Sequence, residues 1–319
     1  HPSKITSPLL QQLEKAFGHA RTGSYRTRDR YKGSAEQFAT FCTEKFKLQN
    51  WKNVKDKHVA AFVKERQESG IAPTTIKNDL SAIRYMIDLI PHTRTRLSDN
   101  NALQEKFEIE LKPTPVSNGD RSWTKEEFQG ALEWAHNRGE TKFHDALILA
   151  REMGLRVSEV VCARRSQAEQ ALRKGIYPIQ GEAKGGRHRE VPMNEAARQS
   201  LERLAANTPR GGRLFIEKNE RAESVRNRFE KCMEKMREAI TTKDGQERRT
   251  YEKDHIPITN ELTWHGLRYS YAQHRAEELT ELHMGSGFER HTATEIAIGQ
   301  LTQELGHNRY DVVNIYLCK

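Results

Sequence analysis

Residues 304–319 read "ELGHNRYDVVNIYLCK". Tyr316 follows His307 by nine residues, and three residues come after it. Two readings compete. In one, Tyr316 is a packing aromatic on a last helix, with Val312 and Val313 beneath it. In the other it is a nucleophile, carried on a terminal segment that can move into and out of a site. Which holds depends on what the rest of the chain can bring to the same place.

Three other polar clusters stand out upstream. They are His265 and Arg268 in "TWHGLRYSYAQH", Lys184 in "AKGGRHREVP" and Arg156 in "MGLRVSEV". Each has a bland reading. His265 and Arg268, three apart, share a helical face, and could be a capping or buried histidine beside a surface arginine. Lys184 lies in a Gly-rich turn, where lysines are usually just solvated. Arg156 follows a break at Gly154-Leu155 and could make an ordinary salt bridge.

Composition sets the class. Of 319 residues, 35% are hydrophobic and 30% charged, which is polar, yet apolar residues recur at helical spacing throughout. That length suggests about two domains. The net charge is +9. Residues 1–118 hold 20 Lys+Arg against 13 Asp+Glu, and the rest hold 33 against 31, so +7 of the excess lies in the first part. A basic domain suits a polyanion such as nucleic acid; a solvated surface without a partner is the alternative. Cys42, Cys162, Cys232 and Cys318 lack the spacing of a zinc site or disulfide framework, which points to a reducing compartment. There is no apolar run of about 18 residues and no visible signal peptide, so no membrane partner is expected. The chain opens on His1 rather than Met, which suggests a processed or edited start.

The periodicity predicts a mainly α fold with one small antiparallel sheet. "APTTIKNDLSAIRYMIDLI" places Ile76, Leu80, Ile83 and Ile87 on one helical face, with Thr74 or Thr75 as N-cap after Pro73. "SAEQFATFCTEKF" and "KDKHVAAFVKERQ" repeat the pattern. "KPTPVSNGDRS" (112–122) breaks it and reads as a linker. Thr124 and Glu127 then stand at capping-box spacing. "KFHDALILAREMGLRVSEVV" reads as helix, break and helix. "GIYPIQGEAKGGRHREVPM" reads as a β-hairpin turning at Lys184-Gly185-Gly186. A charged loop is expected near 241–256.

No single cluster is specific, but the four in this order resemble the catalytic domain of the tyrosine recombinases, the family of phage and mobile-element integrases. "GLRVSEV" resembles the first arginine box, "AKGGRHREVP" the hairpin lysine segment, "HGLR" the HxxR box, and "LGHNRYDVVNIY" the final histidine-to-tyrosine box. The resemblance covers roughly 121–319. It implies a helical, SAM-like DNA-binding domain over 1–114, a linker over 115–121 and a catalytic domain over 122–319, the two domains forming a clamp around DNA.

The resemblance also implies roles. Tyr316 would attack the scissile phosphate and leave a 3′-phosphotyrosyl bond and a free 5′-hydroxyl. Arg156 and Arg268 would clamp the phosphate oxygens, a task suited to planar, permanently charged forks. Lys184 would protonate the leaving 5′-oxygen. His265 would accept the phenol proton or donate to the phosphate, and His307 would donate to the phosphate. No metal or cofactor is expected. The partner would be double-stranded DNA carrying recombination sites, bound by a homotetramer that is a monomer or weak oligomer when free, in a bacterial cytoplasm.

Two departures concern assembly. Only three residues follow Tyr316, so either the segment that such enzymes exchange between subunits is cut short or another element couples them. "ELHMGSGFERHTATEIAIGQ" (281–300) looks inserted between HGLR and the last box, a candidate for partner contacts. For DNA binding, "RTGSYRTRDRYKGS" offers Arg26, Arg28, Arg30 and Lys32 as phosphate contacts among Tyr25 and Tyr31, and Lys77 and Arg84 share a helical face suited to a groove. Simple solvation is the alternative for each. The functional alternatives are a type IB topoisomerase and a DNA-binding architectural protein with weak catalysis.

Overall fold

Pro73 supplies the fixed φ that starts a helix, and the computed structural model places it at the first helical position, with Ala72 as the N-cap. The cap thus falls two or three residues before Thr74 or Thr75, because proline is preorganised for the first turn and has no N–H to satisfy. The structure describes residues 7–21, 25–93, 96–111, 119–180, 188–253, 255–306 and 310–318. The chain divides into two compact units, 1–116 and 117–319. The linker expected at 115–121 falls largely outside the described residues.

The first unit contains α1 (Pro8–His19), α2 (Tyr25–Phe46), a 3₁₀ turn (Trp51–Asn53), α3 (Asp56–Glu68), α4 (Pro73–Asp88) and α5 (Asn100–Phe107). Ile76, Leu80, Ile83 and Ile87 of α4 are all buried, as their spacing predicts, against a core that includes Phe38, Trp51 and Phe62. Burying each such side chain stabilises the fold by about 1.5–3 kcal/mol. One carboxylate enters this core. Asp79 accepts from Ser34 Oγ at 2.7 Å and from Arg66 Nη2 at 3.0 Å, and so ties α4 to α2 and α3.

The second unit contains α6 (Lys125–Asn137), α7 (Thr141–Glu152), α8 (Val157–Cys162), α9 (Arg165–Lys174), the hairpin β1 (Ile176–Ile179) and β2 (Arg189–Pro192), α10 (Glu195–Ala206), α11 (Ala222–Ile240), α12 (Lys243–Arg249), a second hairpin β3 (Thr250–Lys253) and β4 (Ile256–Thr259), α13 (Trp264–Gly285), α14 (Arg290–Glu304) and α15 (Tyr310–Tyr316). Both hairpins are antiparallel, with Ile179 opposite Arg189 and Lys253 opposite Ile256. Phe143, Phe215, Phe229 and Trp264 form an aromatic cluster at the centre. No helix among the described residues is long and apolar enough to cross a membrane.

The capping box holds: Thr124 Oγ1 accepts from Glu127 N–H at 3.2 Å, and Glu127 Oε2 accepts from Thr124 N–H at 3.0 Å. The same carboxylate takes the Arg249 guanidinium at 2.6 and 2.7 Å, with both side chains buried. That pair explains why the expected charged loop near 241–256 is instead a helix and a hairpin. Thr242 caps α12 through Gly245 N–H, and Arg249 pins its end to α6. Among the described residues there are therefore two small sheets, where one was expected. The stretch 281–300 forms the end of α13, a turn and most of α14, which pack on each other through Leu279, Ala293 and Ala297.

Candidate active site

Arg156 sits at the N-cap of α8, directly after the break that Gly154 makes. Gly154 has φ +59°, and a Cβ there would lie 2.4 Å from the Tyr271 ring, so only glycine fits. Arg156 donates from its backbone N–H to Glu159 Oε2 and from Nη1 to Glu159 Oε1, both at 2.8 Å. Arg189, on β2, meets the same carboxylate with Nη1 at 2.8 Å and Nη2 at 2.7 Å. Four N–H groups thus fill the acceptor sites of one buried carboxylate. Burial alone would push the Glu159 carboxyl up. The hydrogen bonds and charge of Arg189, then those of Arg156, overcome it and hold the pKa at about 2.

Arg189 also donates from Nε to the carbonyl of Glu304 at 2.9 Å, at the end of α14. A Cβ on Gly306, whose φ is +66°, would come within 2.9 Å of Arg189 Cδ, so this close approach requires glycine. The Ile179–Arg189 end of the β1–β2 ladder is thereby fixed against both α8 and the turn after α14.

Arg268 makes the complementary connection. It lies on the buried face of α13 and is 1% exposed. Nη1 donates to the Gly154 carbonyl and Nη2 to the Leu305 carbonyl. One guanidinium therefore joins the segment before Arg156 to the segment before His307. Its Cζ stands 5.8 Å from the centroid of the Tyr316 ring. Burial, then the positive charge of Arg156, lowers its pKa to about 10, which leaves it charged at neutral pH.

Tyr316 ends α15 and is 4% exposed. Its ring centroid lies 4.7 Å from that of Tyr269 and 5.5 Å from that of His265. The His265 imidazole is held below its ordinary range, first by the atoms packed around it and then by Arg268, Arg121 and Arg156. Solvent still reaches the residue and tempers that shift; its direction keeps the ring neutral at neutral pH.

Arg156, His265, Arg268 and Tyr316 thus gather in one place. Lys184 and His307 lie outside the described residues, although the flanking Arg189 and Leu305 are anchored at this site. Arg121, Glu159, Arg189 and Tyr269 were not singled out in the sequence. Glu159 carried a signal, since it stands three residues after Arg156 at capping-box spacing.

Comparison with known families bears on the chain as a whole. The description "Phage integrase, N-terminal" fits residues 7–95, and "Phage integrase family" fits residues 122–317. The chain belongs to the phage integrase family. Its second unit is a tyrosine recombinase catalytic domain, and the chain is an enzyme of that class. The Tn1549 transposon integrase, solved with transposon right end DNA, is similar over 96% of this chain and 93% of its own, with TM-score 0.59 and 14% identity. A lambda integrase dimer bound to a COC′ core site is similar over 96% and 94%, with TM-score 0.61 and 13% identity. A lambda integrase tetramer bound to a Holliday junction is similar over 98% and 78%, with TM-score 0.56 and 14% identity. These likenesses are of fold. No curated protein matches the chain.

In this integrase-family chain the basic residues of the first unit differ in how they are engaged. Arg30 is exposed beside the Tyr31 ring, and Lys77 is partly open on α4. Arg28 reaches the Arg21 carbonyl at 3.4 Å. Lys32 pairs with Glu14 at 2.7 Å. Arg84 is turned into its own unit, with Nη2 donating to the Ser98 carbonyl at 2.9 Å and to Asn100 Oδ1 at 2.8 Å, because the segment after α4 folds back along it. The side chain of Arg26 lies outside the described residues.

The Glu159 site gives a pH prediction. A carboxyl near 2 in the folded chain and about 4.3 unfolded stabilises the fold above pH ~4.5, and that contribution is lost as pH falls toward 2. Its size at neutral pH is roughly 3 kcal/mol. In urea unfolding followed across pH, Glu159→Gln is expected to be less stable at pH 7 and to show a shallower acid-dependent slope between pH ~4.5 and ~2. A variant that runs parallel to the parent through this window would contradict the assignment.

Proposed function

We propose that the chain is a site-specific recombinase that integrates or excises a mobile element in bacterial cytoplasm. The observation that carries the reading is the Arg268 guanidinium, which bridges the Gly154 and Leu305 carbonyls beside the Tyr316 ring. A charged, buried fork held there suits the non-bridging oxygens of a phosphodiester.

Tyr316 Oη attacks phosphorus, and its proton passes to neutral His265 or to water. The P–O5′ bond breaks as the P–O bond to tyrosine forms, and Lys184 protonates the departing 5′-oxygen. Arg156, Arg268 and His307 stabilise the charge that develops on the non-bridging oxygens. Attack by another 5′-hydroxyl reverses the sequence, so the bond energy is kept and the strand is rejoined. Arg26, Arg28, Arg30 and Lys32 would contact phosphates along double-stranded DNA, and Lys77 would enter a groove. Arg84 would need to leave Ser98 and Asn100 before joining Lys77 there. A tetramer across two sites would carry out exchange.

Covalent capture tests this. Random-sequence duplexes with a single nick are incubated with the protein and denatured, and strands that remain attached are amplified. The expected result is enrichment of one sequence, and strand exchange between two copies of it. Plasmid relaxation without exchange would indicate a topoisomerase, and binding with no attachment would indicate an architectural protein.

A further inference from the structure

Along α13, His265, Tyr269 and Gln273 recur every four residues and so lie on one face. The first two contact the Tyr316 ring. Gln273 contacts its backbone: Nε2 donates to the Tyr316 carbonyl at 3.1 Å. The same Nε2 donates to Asp120 Oδ1 at 3.0 Å. Arg248 then closes the cluster, with Nη2 donating to Gln273 Oε1 at 2.6 Å and Nε donating to Asp120 Oδ2 at 2.5 Å. Asp120 is itself fixed, because Ser122 N–H donates to Oδ1 at 2.8 Å.

This cluster has one consistent wiring. The Tyr316 carbonyl and the Asp120 carboxylate only accept, and the Arg248 guanidinium only donates. The amide of Gln273 must therefore turn both N–H groups toward Asp120 and Tyr316 and its oxygen toward Arg248. The reverse orientation would put oxygen against two acceptors. The helix that carries Tyr316 is seven residues long, and among its described residues Val313 and Tyr316 are buried, with Val312 and Ile315 packed against the same core. The Tyr316 carbonyl is thus held by the face of α13, through an amide that the entry segment at Asp120 and the end of α12 hold in turn.

We propose that Gln273 is a positioning residue for strand cleavage, which, together with Asp120 and Arg248, holds the backbone of Tyr316 so that its phenol stays against His265 and Arg268. The proposal rests on the reading of Tyr316 as nucleophile. It also links the chain segment that enters the catalytic unit to Tyr316, from Asp120 through the Gln273 amide.

The test uses the full chain and the duplex recovered by covalent capture. Gln273→Met keeps the length and removes both donors. It is expected to slow single-turnover adduct formation about tenfold, with DNA affinity within about twofold of the parent. Gln273→Glu, which places an acceptor against Asp120 and the Tyr316 carbonyl, is expected to be slower still. Asp120→Ala should slow the step similarly, and the Asp120→Ala, Gln273→Met double variant should be no slower than the worse single variant, because both break one unit. Adduct formation by Gln273→Met within twofold of the parent, or losses that multiply in the double variant, would overturn the proposal.

A second readout does not depend on cleavage. Nitration of the free protein by tetranitromethane, mapped by peptide mass spectrometry, should modify Tyr316 slowly in the parent and several-fold faster in Gln273→Met. Equal rates would overturn the proposal even if Tyr316 proved not to be the nucleophile. Should Gln273→Met fail to fold, Arg248→Gln at the exposed corner of the cluster replaces it, with faster nitration and slower cleavage expected and parental values contradicting.

Discussion

Tyr316→Phe is expected to bind the captured duplex with an affinity close to that of the parent and to form no covalent adduct. The substitution removes one oxygen and leaves the ring, which packs between Tyr269 and His265 at centroid distances of 4.7 and 5.5 Å. The fold should therefore survive, and with it the basic surfaces proposed to bind phosphates. What disappears is the oxygen proposed to attack. Among the described residues no neighbouring group replaces it with the same placement: Tyr269 is fixed in the second turn of α13 and buried, and burial pushes its hydroxyl up to about 12. Adduct bands on denaturing gels measure the effect. A persistent adduct in Tyr316→Phe would move the nucleophile elsewhere, while loss of DNA binding would mean that the phenol oxygen has a structural task.

Arg268→Ala is expected to slow adduct formation by about 10²–10³, the cost typical of losing a transition-state donor. Two effects combine there. The charge proposed to face the phosphate is removed, and the Gly154 and Leu305 carbonyls lose the fork that joins them. Arg268→Lys separates the two. Lysine restores the charge, but a single ammonium cannot span two carbonyls in the planar geometry of a guanidinium. We expect Arg268→Lys to remain well below the parent and above Arg268→Ala. Rates near the parent in both variants would remove Arg268 from the reaction. A lysine variant equal to the parent would show that charge alone matters and that the bridge does not.

Much of this organisation is local enough to read from sequence. Ile76, Leu80, Ile83 and Ile87 declare a buried helical face by spacing alone, and Thr124 with Glu127 declares a helix start. The four polar clusters are likewise short runs in a set order. What was not legible depends on pairs far apart in the chain. Glu127 and Arg249 are separated by 122 residues, and nothing near "TTKDGQERRTYEKD" announces that one arginine will be buried and anchor a helix and hairpin. Glu159 and Arg189 meet across 30 residues, and Gln273 and Asp120 across 153. A charge run looks solvated until its partner is known. Arg84 shows the same effect in the opposite direction. Its seven-residue spacing from Lys77 predicts a shared open face, but the segment at Ser98–Asn100 folds back and takes the guanidinium.

The proposed chemistry turns on the identity of the bond between protein and DNA. Digestion of the captured complex, followed by mass spectrometry of the peptide that carries the nucleotide, identifies that bond directly. The expected product is a 3′-phosphate esterified to Tyr316, on a peptide from the C-terminal end of the chain. A nucleotide attached to Tyr269, Tyr310 or any other residue, or a 5′-phosphate linkage, would contradict it.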